Sequence, residues 1–591
     1  MAKEYYQARI DGLNHKIAEL DHKSKRFLWM KIFTFFSGVA ALILYWNDFG
    51  NLWLYTVIGL LVLYIYALTA DSRILGAIGK CKALRFTCKK ELDGVNGDFS
   101  HFDDGRKYVD ANHPFTFDLD IFGTGSLFQR INRTISNYGE RLLAAMLSTV
   151  PLDKKTIISR NEAIKELCGS IDWCIDFLSL PRVYLHKIGN DHRTTPSGVF
   201  IAFQILGTVC IISLIVATVF SITQIKHGSG LSWLIFGILF GLQLLASVFF
   251  KSSLMRKYSS GEFMHSECAK CLVILETITK ADFTSTLLKE KQTSLNNATK
   301  PIHELGTLSK YVDMIITNVF LYILTNGLFS FNALLLRRYE KWMEDYSDSI
   351  TDWYRVAGEI DALVSCGVYA FNNSLSCYAT INTDNGIIAE AARMRHPFIP
   401  ADIAVTNDFT LYNDEIALIT GANMAGKSTF LRSFGVNYLL ASIGLPVFAE
   451  SFGFRIASLF TSMRTSDNLV NSKSYFQAEL LRLKELYHAC KKNDYTVIIL
   501  DEILKGTNSK DKLQGSLTFL RHLMPLPCAG LVATHDLELS RLEEESKQIS
   551  NYKFKIELTN PIKYDYRISP GVAKNLNATF LLNEMLDDCQ Q

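Results

Sequence analysis

"GANMAGKST", Gly421 to Thr429, follows a short apolar run, Ile416 to Thr420, and precedes "FLRSFGVNYLLASIG". The order reads as strand, glycine-rich loop and helix. The spacing Gly421-x4-Gly426-Lys427-Ser428 is that of a phosphate-binding loop. Its glycines permit a tight backbone, so that amide N–H groups can cradle phosphate oxygens. The expected nucleotide contacts run through Gly421, Ala422, Asn423, Met424, Ala425, Gly426, Lys427, Ser428 and Thr429. Lys427 is placed to reach the β- and γ-phosphates, and the Ser428 hydroxyl to meet Mg²⁺.

Two later stretches complete the pattern. "YTVIILDEILKGTNSKD" has an apolar strand, Val497 to Leu500, ending in Asp501 and Glu502. That strand end projects Asp501 towards the Mg²⁺ shell and Glu502 towards an attacking water. "AGLVATHDLEL" is another buried strand, ending at His535, where an imidazole can contact a γ-phosphate or its water and report nucleotide state. The expected catalytic set is therefore Lys427, Glu502 and His535, with Ser428 and Asp501 on the metal. The fold expected here is an α/β P-loop ATPase domain, ABC-like, with a mainly parallel sheet. ATP and Mg²⁺ are the implied ligands.

Upstream lie four apolar runs: Phe27 to Trp46, Leu52 to Thr69, Val199 to Thr223 and Leu231 to Phe250. A bilayer core of about 30 Å needs about 20 apolar residues in a helix. All four are long enough, and short turns join them as two hairpins. Lys31 weakens the first. Trp46, Trp53 and Trp233 stand near run ends, where interfacial aromatics belong. Basic residues crowd the other ends: Lys16, Lys23, Lys25 and Arg26 before the first run, and Arg73, Lys80, Lys82, Arg85, Lys89 and Lys90 after the second. Arg193 precedes the third run, and Lys251, Arg256 and Lys257 follow the fourth. The turns offer only Lys226 and His227. This asymmetry predicts an integral inner or plasma membrane protein with everything but the turns in the cytoplasm. A fifth apolar stretch, Met314 to Leu336, carries Asn318, Asn326 and Asn332. A fifth crossing would put the phosphate loop outside, so this stretch is expected to be a buried or partner-facing helix.

The 591 residues exceed what one core serves, so several units are expected. The boundaries expected are an N-terminal segment 1–26, hairpin one at 27–69, and the first part of a helical core at 70–198. Hairpin two follows at 199–250, a core and lever region at 251–390, and the ATPase domain with a C-terminal dimerisation segment at 391–591. Apolar residues make up 48%, and mean hydropathy is +0.12, which suits a mixture of membrane and aqueous parts. A formal charge of +2 gives no global basic field of the kind that advertises nucleic acid. The 12 cysteines are scattered, as in a reducing compartment. His265, Cys268 and Cys271 are close in sequence, but i and i+6 diverge by about 120° on a helix. No second cluster completes four ligands, so packing rather than metal binding is expected there.

Asn423-Met424 within the loop, "LDEILKGTNSKD" and "ATHDLEL" resemble the ATPase segments of the MutS family of DNA mismatch-repair ATPases. "SKSYFQAEL", Ser472 to Leu480, is similar to the signature that reaches the partner's ATP, which implies Ser474 as a trans contact. Lys505 stands where the family usually has Arg. "RHPFI", Arg395 to Ile399, resembles the segment leading into the ATPase domain. The aromatic that stacks on adenine before the loop strand is replaced here by Ala404 or Val405. Tyr566, in "YDYRISPGVAKNLNATFLL", falls where a His would stack. "DIFGTGSLFQRINRTISNYGERLLAAML", Asp120 to Leu147, looks like the start of the family's helical core. The resemblance implies an all-α core and lever domain, into which this chain inserts its second hairpin. The short charged N-terminal segment before the first apolar run is expected to leave no room for the family's mismatch-reading domain. Phe448-Ala449-Glu450 reproduces its wedge motif, but inside the ATPase domain, and reads as coincidence.

The resemblance implies a homodimer joined through the ATPase domains, with DNA as ligand and lipid around four transmembrane helices. On that reading the chain is a nucleotide-controlled clamp on mismatched, branched or duplex DNA. The alternative is an ATP-driven membrane machine or scaffold with the same engine and no DNA.

Overall fold

No proline lies within residues 2–95, and only isolated glycines interrupt the apolar and charged helix formers there. Residues 2–46 and 52–95 fold as two long antiparallel helices, α1 (Ala2–Trp46) and α2 (Leu52–Val95). Lys31, the charge that weakens the first apolar run, has a partner. Its ammonium lies 2.5 Å from the Asp71 carboxylate on α2, which also accepts from the Ser24 hydroxyl at 2.6 Å. The structure, a computed structural model, describes residues 1–47, 50, 52–182, 197–222, 229–258, 264–382, 386–464, 475–492, 495–505, 508–557 and 563–573.

Short helices follow: α3 (Leu127–Ile131), α4 (Asn137–Ser148), α5 (Lys154–Gly169) and α6 (Ile171–Leu178). Then come α7 (Ser197–Ile222) and α8 (Ser229–Tyr258). After them run α9 (Met264–Thr279), α10 (Thr286–Leu295), α11 (Thr299–Thr317), α12 (Val319–Phe329) and α13 (Phe331–Asn372). Among the described residues four helices, α1, α2, α7 and α8, are long and apolar enough to cross a membrane. No more than 17% of the most apolar window of any of them is buried.

The stretch Met314 to Leu336 is not one helix. Asn318 ends α11 and caps α12, its side chain accepting from the Leu321 amide at 3.0 Å. Ser330, at φ 48°, ends α12, and the chain bends by 82° into α13. Val319 and Phe320 are 70% and 77% exposed, so that face is not buried within the chain itself.

The chain divides into two units, Met1–Arg133 with Arg141–Ser179 and Ala362–Gln591, and Thr134–Glu140 with Leu180–Asp361. These cut across the boundaries expected from the sequence, since residues 70–133 go with the strands. In the second unit, buried Asp361 on α13 accepts from the Ile135 and Ser136 amides and the Ser136 hydroxyl, the last at 2.6 Å. Burial pushes this carboxyl up to about 7 against those hydrogen bonds. A folded pKa above the unfolded value means its contribution to stability is full below about pH 4 and lost as pH rises through 7. Wild-type melting temperature is therefore expected to fall across pH 5 to 8 more than that of Asp361→Asn. Parallel melting curves for the two would remove Asp361 from that role.

In the first unit the strands are β1 (Thr380–Ile381), β2 (Ile387–Met394), β3 (Asn407–Tyr412) and β4 (Ile416–Thr420). The loop helix α14 (Lys427–Ser442) leads to β5 (Ser451–Phe454) and β6 (Ser458–Ser462). Next come α15 (Tyr475–Lys492), β7 (Thr496–Asp501), α16 (Ser509–Leu523) and β8 (Cys528–Thr534). The last elements are α17 (Leu542–Glu545), β9 (Ile549–Glu557) and β10 (Lys563–Pro570). One sheet has the order β1-β5-β2-β3. The other, β10-β9-β4-β8-β7-β6, is parallel except for its β10 edge. Every residue of β4 and β8 is buried, as expected of parallel strands covered on both faces. The register puts Thr420 beside Thr534, and Asp501 beside Ala533. The loop, the acidic pair and the histidine thus leave the sheet at one edge, the carboxyl ends of its strands.

Candidate nucleotide site

β4 ends at Thr420, and the chain turns through Gly421 to Gly426 before α14 begins at Lys427. Gly426, at φ 103°, is the residue before that helix; the left-handed turn brings the first α14 amides round to face the loop. Met424 is also left-handed, at φ 64°, and its side chain is 73% exposed. Asn423, Ser428 and Thr429 are exposed, whereas Ala422, Ala425 and Lys427 are buried.

The Lys427 ammonium donates to the Gly421 carbonyl at 2.8 Å and the Ala422 carbonyl at 2.9 Å, and lies 3.3 Å from His535 Nε2. Burial pushes it down to about 8. Burial first, and the Lys427 charge second, also hold His535 below its ordinary pKa. A neutral imidazole with Nε2 accepting from Lys427 fits both observations. Ser428 Oγ donates to Asp501 Oδ2 at 2.6 Å. A hydroxyl and a carboxylate in contact are hard oxygen donors of the kind that Mg²⁺ takes, so these residues fit the metal.

Glu502 follows Asp501 at φ 60°, and Leu504 repeats the conformation at φ 60°. Left-handed non-glycine residues are held only by their surroundings and gather at functional sites. The Glu502 amide is anchored on the Ala533 carbonyl at 2.9 Å. Its carboxylate lies 3.6 Å from His535 and 3.5 Å from Lys512.

Tyr566 comes to the phosphate loop from β10. The β9–β10 register slips between Tyr564 and Ile568, leaving Tyr566 at φ 54°. Asn407 on β3 holds that slip, donating to the Tyr566 carbonyl at 3.1 Å and accepting from the Ile568 amide at 2.8 Å. The ring stacks on Tyr564 with centroids 5.7 Å apart, and its edge lies 3.0 Å from where a Cβ on Gly426 would stand. Ala404 and Val405 are half-buried. Ser474 lies outside the described residues, as do Gly506 and Thr507 and the segment after Ala573. The Lys505 ammonium donates to Met463 O at 3.3 Å in its own chain.

Sequence reasoning missed Lys512, whose only sign is its place one turn into the helix after the Asp-Glu strand. It also missed a charged cluster beside α14. Arg464 grips Asp120 at 2.6 and 2.9 Å, and Arg432, one turn beyond Ser428, meets the same carboxylate at 3.2 Å. Asp118 accepts from the Thr461 hydroxyl and the Arg464 amide at 2.7 and 2.8 Å. These pairs join residues more than 300 positions apart, which no local pattern reveals. Among the described residues no group of three or more metal-ligating side chains occurs. Cys271 is buried, and the side chains of His265 and Cys268 lie outside the described set.

A phosphate loop, a hydroxyl–carboxylate pair and a neighbouring Glu–His pair at one edge of a parallel sheet define the class of P-loop nucleotide-binding proteins. The comparisons narrow it: the family model for MutS domain V matches residues 417–579. DNA mismatch repair protein MutS of Clostridium botulinum strain Okra is 32% identical over 251 residues, 40% of this chain and 26% of the relative. MutS protein homolog 4 of Mus musculus is 31% identical over 194 residues, 31% of this chain and 20% of the relative. Residues 417–579 thus resemble domain V of the MutS family. The matched stretch spans about a quarter of the length of the curated relatives.

Proposed function

We propose that the chain is a membrane-anchored ATPase that hydrolyses ATP in composite sites of a homodimer and binds DNA as a nucleotide-controlled clamp. The observation that carries the ATPase reading is the convergence of Lys427, Ser428, Asp501, Glu502 and His535 at one sheet edge. Phosphate oxygens would take over the Lys427 donors now facing the Gly421 and Ala422 carbonyls, and the loop amides would hold the remainder. Mg²⁺ between Ser428 and Asp501 would draw charge from the β- and γ-phosphates. Glu502 orients and deprotonates the attacking water, and Lys512, 3.5 Å from it, holds the carboxylate in place. His535, bonded to Lys427 and adjacent to Glu502, senses whether the γ-phosphate is present. Tyr566 offers its ring to the base, and Ser474 reaches the partner's nucleotide.

The membrane reading is supported by the outward apolar faces of α1, α2, α7 and α8 and by the basic residues flanking them. DNA as ligand is supported by the relatives, named as mismatch repair proteins, and not by the net charge of +2. Buried hydrogen bonds of Cys210 on α7 and Gln243 on α8 with Gly327 and Ser330 are compatible with a second reading, an ATP-driven membrane machine or scaffold. ATPase rate of the full-length protein in lipid nanodiscs, with homoduplex, mismatched and branched DNA at two salt concentrations, separates them. The expected outcome is a rate that DNA changes and salt restores to its basal value. A rate that ignores every DNA but follows lipid composition would favour the machine.

A further inference from the structure

We propose that residues 318–336 form a re-entrant membrane element, which dips into lipid beside α7 and α8 and returns to the side it came from. This rests on the membrane reading of α7 and α8. Three sets of contacts carry it.

The first set gives depth. Lys251 marks the basic end of α8. There Tyr322 of α12 meets it, its ring centroid 5.0 Å from the Lys251 ammonium and its hydroxyl 3.1 Å from Ser247 Oγ. Further along α12, Gly327 abuts Phe240, where an added Cβ would lie 2.2 Å from the ring. Phe240 stands roughly 16 Å of helix from Lys251, about half of a bilayer core. α12 itself, at 11 residues, is about 16 Å long.

The second set gives return. Two residues beyond the bend, the Asn332 side chain donates back to the Ser247 carbonyl at 3.4 Å. Exposed Arg337 and Arg338 follow, as exposed Lys310 precedes. Entrance and exit thus share the basic end of α8. A fifth apolar run therefore leaves the side of the phosphate loop unchanged.

The third set satisfies the break. Non-helical backbone at membrane depth persists only where protein supplies its hydrogen bonds. Gln243, fully buried on α8, donates to the Gly327 carbonyl at 3.0 Å and accepts from the Ser330 hydroxyl at 2.6 Å and its amide at 3.2 Å. Cys210 on α7 donates to the same Gly327 carbonyl at 3.4 Å, and Asn326 Oδ1 accepts from the Asn332 amide at 2.9 Å. The opposite face of α12 shows Val319, Phe320, Ile323 and Leu324, all apolar and exposed, which continues the outward faces of α7 and α8. Lipid is the occupant that matches all three. α13, which leaves the lipid at Arg337, is unbroken to Asn372 and carries the chain on towards the strands.

The test uses the full-length protein in phospholipid vesicles with a photo-crosslinking p-benzoylphenylalanine in place of Phe320. Ile205 on α7 and Lys310 are replaced in parallel. Phospholipid adducts are expected at positions 320 and 205 and not at 310. An adduct at 205 with none at 320, or crosslinks from 320 to a second copy of the chain, would overturn the proposal. No adduct at either position would overturn the membrane reading itself. In sealed vesicles, Lys310→Cys and Arg337→Cys are expected to gain labelling over wild type by an impermeant maleimide from the same side. Labelling from opposite sides would make the segment a full crossing and sink the re-entrant assignment.

Discussion

Replacing Glu502 by Gln is expected to leave ATP binding intact and to lower turnover by about 100-fold or more. A positioned general base contributes about 10²- to 10⁴-fold, and Gln keeps the size and polarity of Glu but cannot take a proton. The left-handed backbone at Glu502, its amide bond to Ala533 and the neighbouring Lys512 are all compatible with an amide side chain. Binding should therefore survive while chemistry fails. Single-turnover hydrolysis beside equilibrium nucleotide binding makes the measurement. Wild-type turnover in the variant would remove Glu502 from the role of base, and joint loss of binding and turnover would make it a structural residue.

The second large effect falls on the sheet that presents the site. Gly530 lies in β8, between β4 and β7. A Cβ there would stand 2.0 Å from the Ile498 carbonyl oxygen on β7 and 2.4 Å from its side chain. The first obstacle is backbone in a central strand, which cannot swing aside as a side-chain end could. Gly530→Val is expected to cost about 4 kcal/mol or more, a large share of the roughly 5–15 kcal/mol of a typical domain. The prediction is loss of the folded ATPase unit, read by denaturant unfolding and by nucleotide binding. Gly306→Ala on α11, where an added Cβ meets nothing within 4 Å, is the matched control and should leave stability unchanged or slightly raised. Equal stability of the two variants would refute the packing argument.

The nucleotide half of the site was legible because each of its parts is local. A phosphate loop needs its glycines, Lys427 and Ser428 at fixed offsets along one turn. Asp501, Glu502 and His535 each end an apolar strand, and strand ends of a parallel sheet converge without any further instruction. Tyr566 was legible only by resemblance. What brings it to Gly426 is a register slip on β10 held by Asn407, about 160 residues away, and no pattern near Tyr566 announces that.

Residues alone thus settled a phosphate loop, an acidic strand end, a histidine strand end and four membrane-length apolar helices. Their signals are short-range: spacing, periodicity and length. Tertiary structure decided the rest. It gave Lys31 its partner in Asp71, joined Asp118 and Asp120 to Arg464 and Arg432, and set Lys512 beside Glu502. It also broke the fifth apolar stretch at Asn318 and Ser330, where hydropathy sees one continuous run. Those outcomes depend on which distant groups come within hydrogen-bond reach, and only the folded chain determines that distance.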